Sequence, residues 1–210
     1  MSGLLDLLNS PMGKQLITGV ASQTGNSTDQ TGSVLTMALP LLMGAMKKNA
    51  STSEGAQGLM SALSNKHDGG ILNDLGGLFG GGVDQSVKDD GAGILGHVLG
   101  GKQAQVENAL SQKSGMDIST IATILQVAAP ILMGMIGQKK QQQNVHDASG
   151  LQGMLGSMMG GGKQASKQQS LIESFLDSNG DGSILDDVAS LAPGGKKGGI
   201  GGLLGGLFGK

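Results

Sequence analysis

The sequence predicts an all-α protein built from a duplicated helical unit, with a short helix-loop-helix and a glycine-rich tail after it. Three observations carry this. Apolar residues recur at helical spacing, and Val, Ile and Thr nowhere alternate with polar residues over a useful length. Ala38 to Met46 (ALPLLMGAM) returns as Ala128 to Ile136 (AAPILMGMI), aligning Pro40 with Pro130, Met43 with Met133 and Gly44 with Gly134. An Asp-rich loop, Asp177 to Asp187, lies between two apolar segments.

The repeat extends outward from that block at an offset of about 90 residues. Ser22-Gln23-Thr24-Gly25 answers Ser111 to Gly115 with one insertion, and Gly13-Lys14-Gln15 answers Gly101-Lys102-Gln103. Downstream, Ala56-Gln57-Gly58-Leu59 answers Ala148-Ser149-Gly150-Leu151. Each unit opens with a short apolar helix, near residues 4–8 and 94–99. The second helix of the first copy starts at Ser10-Pro11, an N-cap followed by proline at the first helical position. Its second copy runs over residues 103–112, with Val106, Ala109 and Leu110 on one stripe. Gly25 and Gly115 stand where a left-handed C-cap belongs.

The third helix is the most apolar. Asp117 caps its second copy through the amide of Ser119 or Thr120, and Ile121, Ile124, Leu125, Ala128, Ala129 and Leu132 follow. Pro130 should kink it, and the lysine pairs Lys47-Lys48 and Lys139-Lys140 suit a helix C-terminus. A fourth helix, near residues 58–63 and 151–159, closes each unit. The expected organisation is a first repeat over 1–66, a Gly-rich linker over 67–92, a second repeat over 93–160, an EF-hand-like segment over 161–192 and a Gly-rich tail over 193–210. The tail from Pro193 onward (PGGKKGGIGGLLGGLFGK) echoes Gly69 to Gly81 (GGILNDLGGLFGG), with Leu207-Phe208 answering Leu78-Phe79. Glycine this dense makes a helix expensive, so these segments should be mobile unless docked.

Composition excludes several functions. The 210 residues hold 40 Gly, three Phe, no Tyr, Trp or Cys, and every one of the 14 basic residues is Lys. There is no thiol nucleophile, Cys-ligated zinc or disulfide framework, and no Arg fork for phosphate. A formal charge of −2 with three aromatic rings offers nucleic acid neither electrostatic footprint nor stacking platform. The glycine runs lack the preceding strand that a dinucleotide or phosphate loop needs. The start lacks a basic n-region and a cleavage site, so the expected compartment is the cytoplasm. Ser33 to Met46 and Ile121 to Gly137 fall short of the ~20 residues of a membrane span and read as core helices. The methionines Met37, Met43, Met46, Met133 and Met135 read as core filler.

The chemistry sits in Asp177-Ser-Asn-Gly-Asp-Gly-Ser-Ile-Leu-Asp-Asp187. A hard cation wants six to eight oxygens, and Asp177, Asn179 and Asp181 place side-chain oxygens at alternate positions of a tight loop. Gly182 permits the turn, Ser183 offers its carbonyl at the seventh position, and Ile184 anchors the loop to a core. Leu171, Ile172, Phe175 and Leu176 give the entering helix an apolar face. This resembles an EF-hand binding calcium, with magnesium the weaker fit. The departure is Val188 at the twelfth position, where an EF-hand has a bidentate Glu; Asp186 or Asp187 must close the shell. The plainer alternative is an Asx-rich turn capping a helix. His67-Asp68 and His146-Asp147 read as repeat-related loop positions and His97 as part of an apolar helix, with no nucleophile placed beside any of them.

Gly93 to Gly137 resembles the YidB-like family of uncharacterised bacterial proteins, through GGKQAQVENALSQKSGMD and the following APILMG helix. The likeness covers most of residues 1–160, and longer relatives carry an Asp-rich loop of the form seen at Asp177 to Asp187. It implies an all-α fold and brings no catalytic residue. The expectation is a non-enzymatic calcium-binding protein acting in binding or assembly, with a protein partner or homo-oligomer left open. A second reading has the apolar hairpins and the Gly/Leu/Phe tail engaging a membrane or self-assembling.

Overall fold

The computed structural model describes residues 8–160, which are helical throughout with no strand among them. Helix α1 (Pro11–Thr24) leads to α2 (Thr28–Asn49) and α3 (Ser53–Asn65). A 3-10 turn (Gly70–Asp74) and a short α4 (Leu75–Gly80) follow, then α5 (Gln85–Leu99), α6 (Gln103–Ser114), α7 (Ile118–Gln142) and α8 (Ala148–Gly160).

Local chemistry sets the ends. Ser10 accepts from the Gly13 amide and Pro11 opens α1. Gly25 and Gly115 end α1 and α6 at φ 68° and 72°, a conformation that glycine enters without steric cost. Ser27 caps α2 and Asp117 caps α7, one repeat apart, through the amides of Gln30 and Thr120. Thr52 and Asp147 cap α3 and α8. The caps therefore pair Ala56 with Leu151, not with Ala148 as the sequence match does, because α7 and its following loop are longer than α2 and its loop.

The two repeats interlock. Helices α2 and α7 touch at the centre, α1 packs on both, and α6 packs on both in return. Helix α8 lies on α2 as α3 lies on α7, and α3 meets α8. One hydrophobic cluster runs from Leu8 to Leu155 through both copies. This corrects the expectation of two small bundles: each central helix is apolar nearly all round, and one repeat alone cannot cover it. Met43, Met46, Met133 and Met135 are buried in this core and Met37 lies half-buried against it.

The expected linker over 67–92 is a second correction. It forms the 3-10 turn, α4 and the first half of α5, and Leu72 and Leu75 are buried. Its glycines, which cost helix propensity, allow backbone to lie on backbone. Pro130 lacks the N–H that would bond the Gln126 carbonyl, and that oxygen instead faces Gly91 of α5. A Cβ on Gly91 would stand 1.8 Å from it. Similarly, a Cβ on Gly137 of α7 would meet the His67 carbonyl at 1.8 Å.

Candidate functional site

The polar cluster of the described fold lies where the end of α3 meets α5 and α7. Lys66, the residue after α3, places Nζ 2.5 Å from Asp90 Oδ1. His67 Nε2 stands 3.5 Å from Asp90 Oδ2, and His67 is buried while Lys66 is exposed. From α7, Lys140 Nζ donates to Ser64 Oγ at 3.0 Å, and Gln141 donates to the Asp68 carbonyl at 3.0 Å. Gly69 then turns the chain at φ 110°, against Gln138 and Gly134.

Burial holds the His67 imidazole below its ordinary pKa; Asp90 opposes that shift and Lys66 adds to it. Lys66 and Lys140 place cations at the carbonyl end of α3, where the helix dipole favours them. Ser64 donates its hydroxyl proton to the Met60 carbonyl at 2.8 Å, so that proton is committed to backbone. The arrangement clamps α3 to α5 and α7 through charge and hydrogen bonds. Sequence reading missed Asp90, because it lies 23 residues beyond His67 inside the expected linker, with no local pattern joining them.

The structure separates the two His-Asp pairs. His67 follows α3, whereas Asp147 caps α8 from in front, so the two are not repeat equivalents. His67 pairs with Asp90 and not with Asp68, whose carboxylate accepts from the Gly70 amide. His97 and His146 are exposed, and the His97 carbonyl accepts from Asn49 Nδ2. Hydrogen bonds from Ser119 and Thr120 hold the Asp117 carboxyl well below the usual carboxylate range, and those from Ser149 and Gly150 lower that of Asp147.

Among the described residues no group of three or more His, Asp or Glu is placed to hold a metal ion. The candidate calcium ligands Asp177, Asn179, Asp181, Ser183, Asp186 and Asp187 all lie outside the described residues. Helix α7 is long and apolar enough to cross a membrane, but 78% of its most apolar window is buried against the rest of the protein.

The family described as bacterial protein of unknown function (DUF937) matches residues 6–139 and again 140–210. The chain belongs to this family. The first DUF937 match contains all of α2 and α7 as far as residue 139, with both Pro40 and Pro130 inside it. No curated protein and no solved structure matches this DUF937 chain.

Proposed function

We propose that this DUF937 protein is a non-enzymatic helical scaffold acting in binding or assembly, and that its Asp177 to Asp187 loop binds calcium. The observation that carries the calcium reading is the D-x-N-x-D-G-S-I pattern set between an apolar entering segment and Val188-Ala-Ser-Leu-Ala. Asp177, Asn179 and Asp181 supply side-chain oxygens, Ser183 its carbonyl, and Asp186 or Asp187 the closing carboxylate. Calcium would neutralise these carboxylates and order the loop on the scaffold. The finer likeness to YidB-like proteins rests on the GGKQAQVENALSQKSGMD block, and the cytoplasm remains the compartment we assign.

The scaffold reading draws support from where the apolar residues go. Leu35, Leu39, Leu42, Ile124, Leu125 and Ile131 are all buried in the shared core. That disfavours the apolar hairpins as membrane elements. Calorimetric titration of calcium into the full chain and into an Asp177→Ala, Asp181→Ala double variant tests the calcium site. Binding heat in the parent that vanishes in the variant is expected; equal heats from both would end the reading.

A further inference from the structure

The duplication exposes an unequal pair of surfaces. On α7, Val127, Pro130, Gly134 and Gly137 form one buried stripe. Their counterparts on α2, at an offset of 90, are Met37, Pro40 and Gly44, all half-buried, and exposed Lys47. The cover on α7 is the segment after α3. Gly69 and Ile71 lie on Gly134, where a Cβ would stand 2.6 Å from Ile71 Cγ2. Phe79 of α4 then lies over Gly19 of α1. The contacts of α1, α2 and α3 with one another and with α6, α7 and α8 are mirrored between the copies, but among the described residues those of the 3-10 turn with α7, of α4 with α1, and of α5 with α2 and α7 lack a counterpart of like extent.

The sequence supplies the missing piece. Aligned without a gap, Gly198, Gly199 and Ile200 match Gly69, Gly70 and Ile71. Leu204, Gly205, Gly206, Leu207, Phe208 and Gly209 match Leu75 through Gly80. Its twin begins four residues after α3, whereas this segment begins 38 residues after α8, with the Asp177 to Asp187 stretch between. The described chain also ends on this surface: Met159 Cε lies 3.7 Å from a Cβ placed on Gly44, so α8 already covers part of it. We infer that residues 198–210 dock on the Met37–Pro40–Gly44 face of α2 and toward α6 as residues 69–81 dock on α7 and α1, with Ile200 beside Met159 at Gly44.

The departures limit the fit without removing it. Gly201 replaces buried Leu72, and Leu203 replaces Asp74, the cap of α4. Lys47 replaces Gly137, so the close backbone contact made by His67 is not repeated. Ala109 stands where Gly19 does in α1, so Phe208 must sit further from α6 than Phe79 sits from α1.

A single nitroxide decides the occupant, because the chain holds no other cysteine. Gly199→Cys is labelled in the full chain, at the counterpart of exposed Gly70. The ε-methyl signals of Met37 on α2 and Met12 on α1 are then recorded by methionine-labelled NMR. The expected result is strong broadening of Met37 with Met12 much less affected, and recovery of Met37 when Ile200→Asp is added. An unbroadened Met37 would overturn the inference. So would broadening seen only when nitroxide-bearing chains are mixed with separate isotope-labelled chains, since a second copy would then be the occupant.

Discussion

Replacing Gly91 by alanine adds one methyl group at the place where α5 crosses α7. The new Cβ would stand 1.8 Å from the Gln126 carbonyl oxygen and 2.6 Å from its carbon. Restoring ordinary contact requires the helices to part by about 1.6 Å, against backbone that cannot rotate out of the way. Parting them loosens Leu95 and Leu99, both buried, each of which contributes on the order of 2 kcal/mol when fully packed. Alanine returns about 1 kcal/mol of helix propensity. Overpacking of this kind costs typically ~1–3 kcal/mol, and more where backbone must move. We expect a net loss of about 2–3 kcal/mol, which lowers Tm by roughly 8 °C for a domain this size. Gly93, two residues on, is exposed with open space around its Cβ position. Gly93→Ala should gain about 0.5–1 kcal/mol from propensity alone. Thermal unfolding followed by far-UV circular dichroism suits a chain with no Trp or Tyr. A Gly91→Ala midpoint at or above the parent's would refute the close-crossing argument.

Other consequences follow from particular residues. Thr31 is fully buried with no partner for Oγ1 among the described residues, and its repeat counterpart is Ile121; Thr31→Val should raise stability by about 1 kcal/mol in urea denaturation. The His67 pKa is lowered from 6.5 in the folded state, so the unfolded chain binds the proton more readily. Stability should therefore fall as pH drops below about 6.5, and His67→Asn should flatten that slope while Asp90→Asn steepens it, both read from urea midpoints between pH 5 and 8. Asp117→Ala should melt below Asp117→Asn at neutral pH, since asparagine keeps a cap acceptor. The Asp117 carboxylate titrates below the usual range, so the parent's cap should persist under mildly acid conditions and be lost only as the pH falls through that depressed value.

Features encoded within a few neighbouring residues were legible in the sequence. Ser10-Pro11, Asp117, Gly25 and Gly115 mark helix ends through contacts no more than a turn away, and the structure places each as expected. The repeat was legible because the ALPLLMG and AAPILMG blocks serve the same central position. The segment over 67–92 was not, because its glycines read as breakers. They are tolerated there because Gly91 lets α5 reach the Gln126 carbonyl that Pro130 leaves without a donor, and because Leu72 finds burial against α7 and Leu75 in the shared core. Such a benefit appears only when the distant surface is known. The pairing of His67 with Asp90 escaped notice for the same reason: it joins two helices, and neither residue has a periodic partner nearby.

The calcium loop is the claim on which the functional account stands. A crystal structure of the full chain grown in millimolar calcium tests it most directly. The account expects one strong density peak ringed by oxygens of Asp177, Asn179 and Asp181 and by the Ser183 carbonyl. Distances of about 2.3–2.6 Å are expected, with Asp186 or Asp187 closing the shell. Those side chains turned away from one another, with no ion between them, would contradict it.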